Sequence, residues 1–443
     1  MMAPLIMTLV GGSDGLTDLD EYENQTDPNL SDADNDGLLD GAVNIHGTSP
    51  IDPDTDRDEM PDLWEVNNNL DPFSAEDLMG DPDRDRIGNF YEYIYSTDPN
   101  TNTSTPLATI YLDPSSPGGD GSLTNAFNTI QDALNIATNY DIIQLADGTY
   151  IGTGNKNLTF PGLPLMLISK NGPANCVIDC EASGGGFRFQ NGEDKRSVVR
   201  GVTVRNGNGP GLFFSGSNPI IQACIITENS ETYGGGLYCS GASPTFQNCV
   251  IARNQASFQG GGVYSHLSNP KIENYIIVEN NAPFGGGGGI YTSISTLLIQ
   301  SSILWSNGPY QVFGNAPQPV ITYSDVQDGW AGEGNINLNS EWIPGSYHLK
   351  ANSPCIDAGD SSSNVLLLDI DRETRWDDPS HANAVSIVDM GADEFVDVDM
   401  DGLADVWEVQ YFSHITNAIP TADPDGDTCN NLCEYEGGTD PTP

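Results

Sequence analysis

Acidic side chains recur at fixed spacing near both ends of the 443-residue chain. In the segment 397–408, carboxylates stand at positions 1, 3, 5, 9 and 12, and Gly402 stands at position 6. Ca²⁺ takes six to eight oxygen ligands, and alternate carboxylates on a tight loop can converge on one ion. Glycine permits the sharp turn, and the final Glu can offer both of its oxygens. The spacing therefore predicts a calcium-binding loop with the ligands Asp397, Asp399, Asp401, Asp405 and Glu408.

The same spacing recurs in three further segments and is incomplete in two others. A solvated acidic linker is the alternative, but a linker gives no reason for a turn residue and a final Glu at fixed offsets. Loop 54–65 has Glu59 in the glycine position, and loop 32–40 has Val43 where the last ligand would stand. The predicted ligands of the three complete loops are Asp54, Asp56, Asp58, Asp62 and Glu65; Asp81, Asp83, Asp85, Asn89 and Glu92; and Asp423, Asp425, Asp427, Asn431 and Glu434. Those of the incomplete loops 32–40 and 10–21 are Asp32, Asp34, Asp36 and Asp40, and Asp14, Asp18 and Glu21. The pattern predicts several bound Ca²⁺ ions.

The distribution of charge supports the same interpretation. The chain has 63 acidic and 15 basic residues and a formal charge of -48, and 33 of the excess negative charges lie in the segments 1–105 and 396–443. Self-repulsion this dense would expand a compact domain unless cations neutralise it. So few basic residues leave no broad face for nucleic acid and disfavour an anionic membrane surface. The apolar stretch 3–10 is too short to cross a bilayer, so we expect no membrane insertion.

The cysteines indicate an oxidising compartment. Eight Cys are present, too few in a chain of this length for a fold built on disulfides. Cys429 and Cys433 lie four residues apart at the first helical turn after the last loop. We expect a local disulfide there, because thiolate is a poor ligand for Ca²⁺. Cys176 and Cys180 are a second candidate for local pairing.

The middle of the chain repeats with a period of about 25 residues. Each unit between 187 and 307 contains three short apolar segments separated by Gly, Pro and Asn, which is typical of one coil of a parallel β-helix. Coils stack about 4.8 Å apart, so equivalent side chains form ladders. We expect an all-β fold with an inward apolar column, two buried cysteines in one column, and a structural amide ladder. The inward column is Phe187, Leu212, Leu237, Val263 and Ile290. The buried cysteines are Cys224 and Cys249, and the amide ladder is Asn229, Asn254, Asn280 and Asn307.

The residue after each inward position of the first strand should point outward, because side chains alternate along a strand. The result is a stacked, exposed aromatic column, which suits sugar rings or the surface of another protein. The alternative is that the rings only stabilise the outer ladder by stacking on one another. The predicted ligand or partner face is Phe213, Tyr238, Tyr264 and Tyr291, preceded in the column by Arg188.

The two acidic ends resemble each other and a known type of repeat. DEMPDLWEV followed by GNFYEYIYSTDP near the N-terminus is similar to DGLADVWEV followed by CNNLCEYEGGTDP near the C-terminus. Both resemble the thrombospondin type 3-like calcium-binding repeats of bacterial secreted and cell-surface proteins, over most of 11–100 and 397–441. The resemblance implies Ca²⁺ as the cofactor and an extracellular or cell-surface location in a bacterium.

The middle region resembles the right-handed parallel β-helix family, which includes the pectate lyases. Its Gly-Gly-Gly-[Val/Ile/Leu]-Tyr units are similar to repeats of bacterial polymorphic surface proteins. The segment 110–150 resembles the start of such a solenoid, with an amphipathic helix at 126–137 that would cap the core. The motifs SPCIDAGD, DIDRETR and DMGADE resemble its closing segment. We therefore expect domains at 1–105, 106–395 and 396–443.

Catalysis is the less favoured hypothesis. Lyases of this fold need carboxylates for Ca²⁺ beside an Arg or Lys base, and hydrolases need facing carboxylate pairs. The regular coils contain no Asp pair, so we assign no catalytic residue. A polysaccharide lyase site would have to use a mixed cluster in the early coils: Asp179, Glu181, Arg188, Glu193, Asp194, Lys195 and Arg200.

The favoured function is a secreted or surface-attached structural or adhesive protein whose acidic arms are stiffened by Ca²⁺. The incomplete loop 10–21, and the tail 439–441 where another loop would begin, also motivate a hypothesis of head-to-tail self-association into a filament through shared calcium sites. The same features fit a fragment of a longer surface protein. The alternative is a carbohydrate-binding adhesin that uses the aromatic column, and the sequence does not rank glycan against self as the partner.

Overall fold

The computed structural model describes residues 16–24, 26–27, 30–34, 36–41, 46–56, 58, 60–74, 77, 80, 82–83, 88–95, 97–101, 109–284, 286–343, 346–360, 369–371, 373 and 375–442. The chain divides into two units, Met1–Pro106 and Leu107–Pro443. Among these described residues, no helix combines the length and the apolar character needed to cross a membrane.

Short helices in the first unit follow the acidic loops. They span Asp18–Asn24, Asp62–Asn68 and Asn89–Tyr95. The last two helices are joined by an edge-to-face contact of Trp64 with Tyr93, whose ring centroids lie 5.3 Å apart. Each loop and its helix thus form one repeated element, and neighbouring elements share aromatic contacts.

Three parallel sheets wind around one core in the second unit. Each strand pairs with its equivalents in the coils before and after it, so the chain forms a parallel β-helix. Sheet A has nine strands: Ile110–Leu112, Ile142–Leu145, Met166–Ser169, Val198–Arg200, Ile220–Gln222, Thr245–Gln247, Lys271–Glu273, Leu298–Gln300 and Val320–Thr322. Sheet B has seven: Leu158–Thr159, Phe187–Phe189, Leu212–Ser215, Leu237–Ser240, Val263–His266, Ile290–Ser293 and Val312–Gly314. Sheet C has eight: Gly148–Tyr150, Cys176–Asp179, Thr203–Arg205, Ile225–Thr227, Val250–Ala252, Ile276–Val278, Ile303–Trp305 and Asp325–Val326. A small outer sheet pairs Ser230–Tyr233 with Gln255–Gln259.

The register of sheet B confirms the inward column predicted from the repeat. Its members are aligned one above the next and are at most 1% exposed. Aromatic rings extend this core, and Phe189 stacks on Phe214 with centroids 5.1 Å apart. Such short strands can form stable sheets here because each coil is paired with a neighbouring coil along all three sheets.

The predicted amide ladder lies inside the solenoid, where its side chains form hydrogen bonds with one another and with the backbone. Its four Asn residues are at most 5% exposed. Asn229 shows the pattern: its Nδ2 donates to Val204 O in the preceding coil and to Asn254 Oδ1 in the next coil, and its backbone N–H donates to the same Oδ1. Asn254 and Asn280 repeat these bonds, and Gln311 ends the ladder by accepting from Asn307. The solenoid thus provides hydrogen-bond partners for these buried amides.

The helix predicted at 126–137 begins four residues later, at Ile130–Ile136. Phe127 instead forms a parallel bridge with Leu112, so pairing with the first strand takes precedence over helix formation. The apolar face of the helix, with Ile130 and Leu134, is buried in the solenoid core.

Cys176 and Cys180 do not pair; both are free and buried. The strand Cys176–Asp179 explains this result. Residues four apart in an extended strand are separated by about 13 Å, well beyond the span of a disulfide. Cys224 and Cys249 are buried in the core, as predicted.

The C-terminal residues pack on the outer face of sheet C. Their helices span Asp405–Phe412 and Asn431–Gly437. A second apolar cluster joins Ile276 and Ile303 of sheet C with Trp407 and Tyr435 of these helices. The Tyr435 hydroxyl donates to Leu349 O at 3.1 Å. The C-terminal acidic loops therefore belong to the same packed unit as the solenoid.

Candidate metal centres and the aromatic column

Five acidic loops are closed by the same backbone hydrogen bond. The N–H of position 9 donates to the carbonyl of the residue before position 1. The distances are 3.1 Å for Asp40 to Ser31, 3.1 Å for Asp62 to Pro53, 2.8 Å for Asn89 to Gly80, 2.8 Å for Asp405 to Val396, and 2.8 Å for Asn431 to Ala422. One loop geometry therefore recurs in both terminal regions.

The side chain at position 9 takes one of two roles. An Asp accepts the N–H of position 2, as Asp405 Oδ1 does from Val398 at 3.0 Å. An Asn instead donates to an upstream carbonyl, as Asn431 Nδ2 does to Ile419 at 2.9 Å. Oδ1 of Asn431 and of Asn89 is then buried without a hydrogen-bond partner. The two loops with Asn at position 9, 81–92 and 423–434, thus keep one side-chain oxygen available to an ion.

Positions 1, 3 and 5 lie on one tight turn. Asp397 accepts the N–H groups of Asp401 at 3.2 Å and of Gly402 at 2.9 Å, and Gly402 has a φ of +92°. In loop 423–434 the first three carboxylates likewise accept backbone N–H groups of their own loop. In loops 54–65 and 32–40, one oxygen from each of the first three carboxylates lies within 4.8 Å of the others. The turns thus bring the predicted ligands close enough to share an ion.

The Glu at position 12 is buried. Glu65 and Glu408 are 0% exposed and Glu434 is 1% exposed. Both carboxylate oxygens of Glu65 and Glu408, and one oxygen of Glu434, lack a hydrogen-bond partner. An ionised carboxylate buried in this way loses its hydration and gains no compensating interaction. The protein gives no donor to Glu65 or Glu408 and leaves one oxygen of Glu434 without a donor, and a bound cation would compensate these oxygens.

Burial raises the pKa of these carboxyl groups, and the neighbouring carboxylates raise it further. The pKa is about 10 for Glu65, about 8 for Asp58 and about 8 for Glu408. For Asp401, burial is again the largest cause and the pKa is about 6. A cation at the centre would favour the ionised forms and lower these values. The loops therefore fit a hard divalent cation.

Asp77 joins loop 54–65 although it lies outside the predicted pattern. One of its oxygens lies within 4.8 Å of one oxygen each from Asp58 and Glu65, and its Oδ1 is buried without a hydrogen-bond partner. It stands twelve residues after Glu65, where no spacing rule points to a ligand. The sequence spacing therefore gives no signal for Asp77.

Some predicted ligands are described only in part. Asp14, Asp81 and Asp85 lie outside the described residues, as does the side chain of Asp18. Asp36 Oδ2 accepts the N–H of Leu63 at 3.3 Å, which links loop 32–40 to the helix of loop 54–65. At the other end, the structure joins Cys429 and Cys433 by a disulfide.

The outward aromatic column is stacked and only partly exposed. Ring centroids lie 5.2 Å apart for Phe213 and Tyr238, 5.2 Å for Tyr238 and Tyr264, and 5.6 Å for Tyr264 and Tyr291. The Arg188 guanidinium covers the first ring, with Cζ 4.4 Å from the Phe213 centroid. The first three rings are half-buried and Tyr291 is 8% exposed. The rings are therefore less exposed than predicted, because stacking at the coil spacing covers the ring faces.

A shallow cavity of about 200 Å³ adjoins the first rings of the column. Its walls are Arg188, Pro210, Phe213, Glu231, Tyr233 and Tyr238. Tyr233 comes from the small outer sheet, and its ring packs against Tyr264 with centroids 5.2 Å apart. Aromatic walls with one basic and one acidic group can contact both the apolar face and the hydroxyls of a sugar.

The mixed charged cluster of the early coils does not converge on one point. Asp179 pairs with Arg205 at 3.0 Å, and Glu181 pairs with Lys156 at 2.8 Å. Arg188 lies in sheet B, whereas Arg200 lies in sheet A. These charges are distributed into local pairs on different faces.

The fold and its register define a right-handed parallel β-helix. A family model described as a right handed beta helix region matches residues 128–303, a span that contains none of the acidic loops. Among solved structures, the chain is similar to a substituted pectin methylesterase in complex with a hexasaccharide, at 14% identity over 52% of this chain and 82% of that chain, with a TM-score of 0.30. It is also similar to a pectate lyase, at 13% identity over 65% of this chain and 97% of that chain, with a TM-score of 0.27. No curated protein matches the chain.

Proposed function

We propose that the protein binds several Ca²⁺ ions in its acidic loops and that these ions make its terminal regions rigid. The buried Glu at position 12 carries this proposal. Loops 54–65, 397–408 and 423–434 each bury such a Glu with at least one oxygen that has no partner in the protein. The resemblance of both ends to thrombospondin type 3-like repeats supports the same function.

The donor set favours calcium over other metals. The predicted ligands are carboxylate and amide oxygens, which hard cations prefer, whereas imidazole and thiolate would favour transition metals. Mg²⁺ is smaller and gives up its water reluctantly, so a site crowded with protein oxygens suits Ca²⁺ better. One Ca²⁺ in each of the four complete loops would also offset part of the formal charge of -48.

Two neighbouring Glu residues allow a matched test. Glu434 is buried at position 12, whereas Glu436 lies two residues later in the same helix and is exposed. Calorimetric titration of the full chain with Ca²⁺ should show several bound ions and one ion fewer for Glu434→Gln. Glu436→Gln should bind as many ions as the parent protein. Equal stoichiometry in all three proteins, or no heat in any of them, would refute the proposal.

The role that we infer is a structural or adhesive one outside the cell. Rigid calcium-loaded arms in the sequence on either side of a solenoid suit a spacer or a surface-attached protein, and the disulfide suits an oxidising compartment. Head-to-tail assembly through terminal calcium sites extends this role. Electron microscopy should then show filaments in Ca²⁺ and single particles in chelator, and single particles in both conditions would exclude the assembly.

The cavity beside the aromatic column favours a second function, glycan binding. Tyr238→Ser would open one cavity wall and interrupt the stack, so binding to a glycan array should be lost. Phe284 is exposed and belongs neither to the stacked rings nor to the cavity walls, so Phe284→Ser serves as the control. Unchanged glycan binding by Tyr238→Ser would mean that the column has only a structural role.

A further inference from the structure

The closing segment of the solenoid holds a buried carboxylate that lies outside every acidic loop. Asp357 is 0% exposed, and neither of its carboxylate oxygens has a hydrogen-bond partner. Its backbone is fixed, since its N–H donates to Asp389 Oδ1 at 2.7 Å and its carbonyl accepts the N–H of Ala384 at 2.8 Å. Its φ of +53° is uncommon for a residue other than glycine. The fold therefore encloses this side chain without giving it a donor.

Other carboxylates surround Asp357. Those whose charges act on it most strongly belong to Asp377, Asp378 and Glu394. The nearby basic groups are engaged elsewhere: Arg375 Nη1 donates to Glu394 at 2.6 Å, and His381 Nδ1 lies 2.8 Å from Asp378 Oδ2. The negative charge of this region thus exceeds what its basic groups balance.

A chain of hydrogen bonds holds these carboxylates together. The backbone N–H of Trp376 donates to Glu394 Oε1 at 3.0 Å, and that of Asp389 donates to Glu394 Oε2 at 3.3 Å. Asp389 in turn accepts from Asp357, so Asp357 is tied to the segment that carries Asp377. The closing segment is also bonded to the coils, through Asn274 Nδ2 to Asp389 O at 3.3 Å.

We propose that Asp357 is the central ligand of a further calcium site, in which both of its oxygens bind the ion together with carboxylate oxygens of Asp377 and Asp378. Hard oxygen donors in this number and charge suit Ca²⁺. The ion would compensate a buried charge that otherwise has no partner, and it would fasten the closing segment to the last coils. This site requires nothing of the terminal loops.

Asp328 provides a matched control for the test. It is exposed and, like Asp357, has a left-handed φ, of +71°, so Asp→Asn is sterically equivalent at both positions. After dialysis of the full chain against Ca²⁺, elemental analysis should find one ion fewer in Asp357→Asn than in the parent protein and Asp328→Asn. In chelator, Asp357→Asn should melt at a higher temperature than the parent protein, because the uncompensated charge is gone; in Ca²⁺ the order should reverse. An unchanged ion count with higher stability in both conditions would overturn the proposal and make Asp357 a buried neutral acid.

A second variant keeps the proposal testable if Asp357→Asn does not fold. Asp377 is exposed, so Asp377→Asn should fold normally. The Ca²⁺ concentration that half-saturates the thermal stabilisation of the solenoid should rise at least about tenfold, and an unchanged value would overturn the proposal. Because Glu434→Gln reports on the terminal loops alone, failure of this site and failure of the loop sites can be told apart.

Discussion

The solenoid and the acidic loops treat buried polar groups in opposite ways. In the solenoid, each buried Asn of the ladder bonds to the backbone and to its neighbour in the next coil. In the loops, Glu65 and Glu408 are as deeply buried but no donor reaches their oxygens. The solenoid therefore satisfies its buried Asn side chains with hydrogen bonds from its own residues. The loops leave these carboxylates without a donor from the protein, and this difference locates the proposed function in them.

The two terminal regions show how the same loop can be used in different surroundings. Both have an edge-to-face Trp–Tyr pair between successive helices, Trp64 with Tyr93 and Trp407 with Tyr435. The C-terminal pair also belongs to the apolar cluster on sheet C. Calcium binding at the C-terminal loops should therefore influence the stability of the outer face of the solenoid.

The largest effect is expected from breaking the amide ladder. Asn254→Leu removes the acceptor for the backbone N–H and Nδ2 of Asn229, and the donor to Ile226 O. Each buried group left unsatisfied costs about 1–3 kcal/mol, so the loss of these three bonds should lower the free energy of unfolding by about 3–9 kcal/mol. Denaturant unfolding should give the same loss in Ca²⁺ and in chelator. A loss confined to chelator would show that the solenoid also depends on calcium.

Removing Trp407 should affect loops and solenoid together. Trp407→Ala deletes a side chain that is 8% exposed and packs between Tyr435 and the sheet C cluster. Large-to-small changes of this kind cost about 3–5 kcal/mol, and the Ca²⁺ affinity of loops 397–408 and 423–434 should fall with the stability. Calorimetric titration and thermal melts of the same variant measure both quantities. Unchanged affinity would separate the loops from the solenoid.

The pH dependence of the loops should have opposite signs with and without calcium. The folded-state pKa values of Asp58 and Glu408, about 8, lie above their ordinary values of 3.8 and 4.5. In chelator, the stabilising contribution of the protonated groups is fully present below the ordinary pKa and is lost as the pH rises towards 8. In Ca²⁺, deprotonation frees the ligands, so stability should rise over the same range. Tryptophan fluorescence melts between pH 4 and pH 8 test this, and parallel curves would contradict it.

The smallest effect is expected in the aromatic column. Tyr264 stacks between Tyr238 and Tyr291 and also contacts Tyr233. Such ring pairs contribute about 0.5–1.5 kcal/mol each, so Tyr264→Ser should destabilise the solenoid by about 2–3 kcal/mol irrespective of calcium. Phe284→Ser, at a position 81% exposed, should leave the melting temperature unchanged. Equal effects of the two substitutions would mean that the stack does not stabilise the coils.

The repeat predicted the solenoid closely because one period fixes both the pairing of the strands and the side chains that point into the core. Gly and Pro at constant intervals placed Phe187, Leu212 and Leu237 in register, and alternation then assigned the inward side. Contacts between distant segments were beyond such reasoning. Asp77 lies outside its loop, and the helix start was displaced by the bridge of Phe127 to Leu112. The surroundings of Asp357 depend on a distant segment that bonds to it through Ala384 and Asp389. The degree of exposure of the aromatic column likewise depends on tertiary packing.

Hydrogen exchange of the full chain in Ca²⁺ and in chelator tests the central comparison most directly. The backbone N–H groups of Asp62, Asp405 and Asn431 close their loops in the structure, whereas those of Asn229 and Asn254 lie in the solenoid ladder. We predict that chelation greatly accelerates exchange at the first three and leaves the ladder protected. Equal protection of the loop N–H groups in both conditions would contradict the account, because the loops would then be complete without an ion.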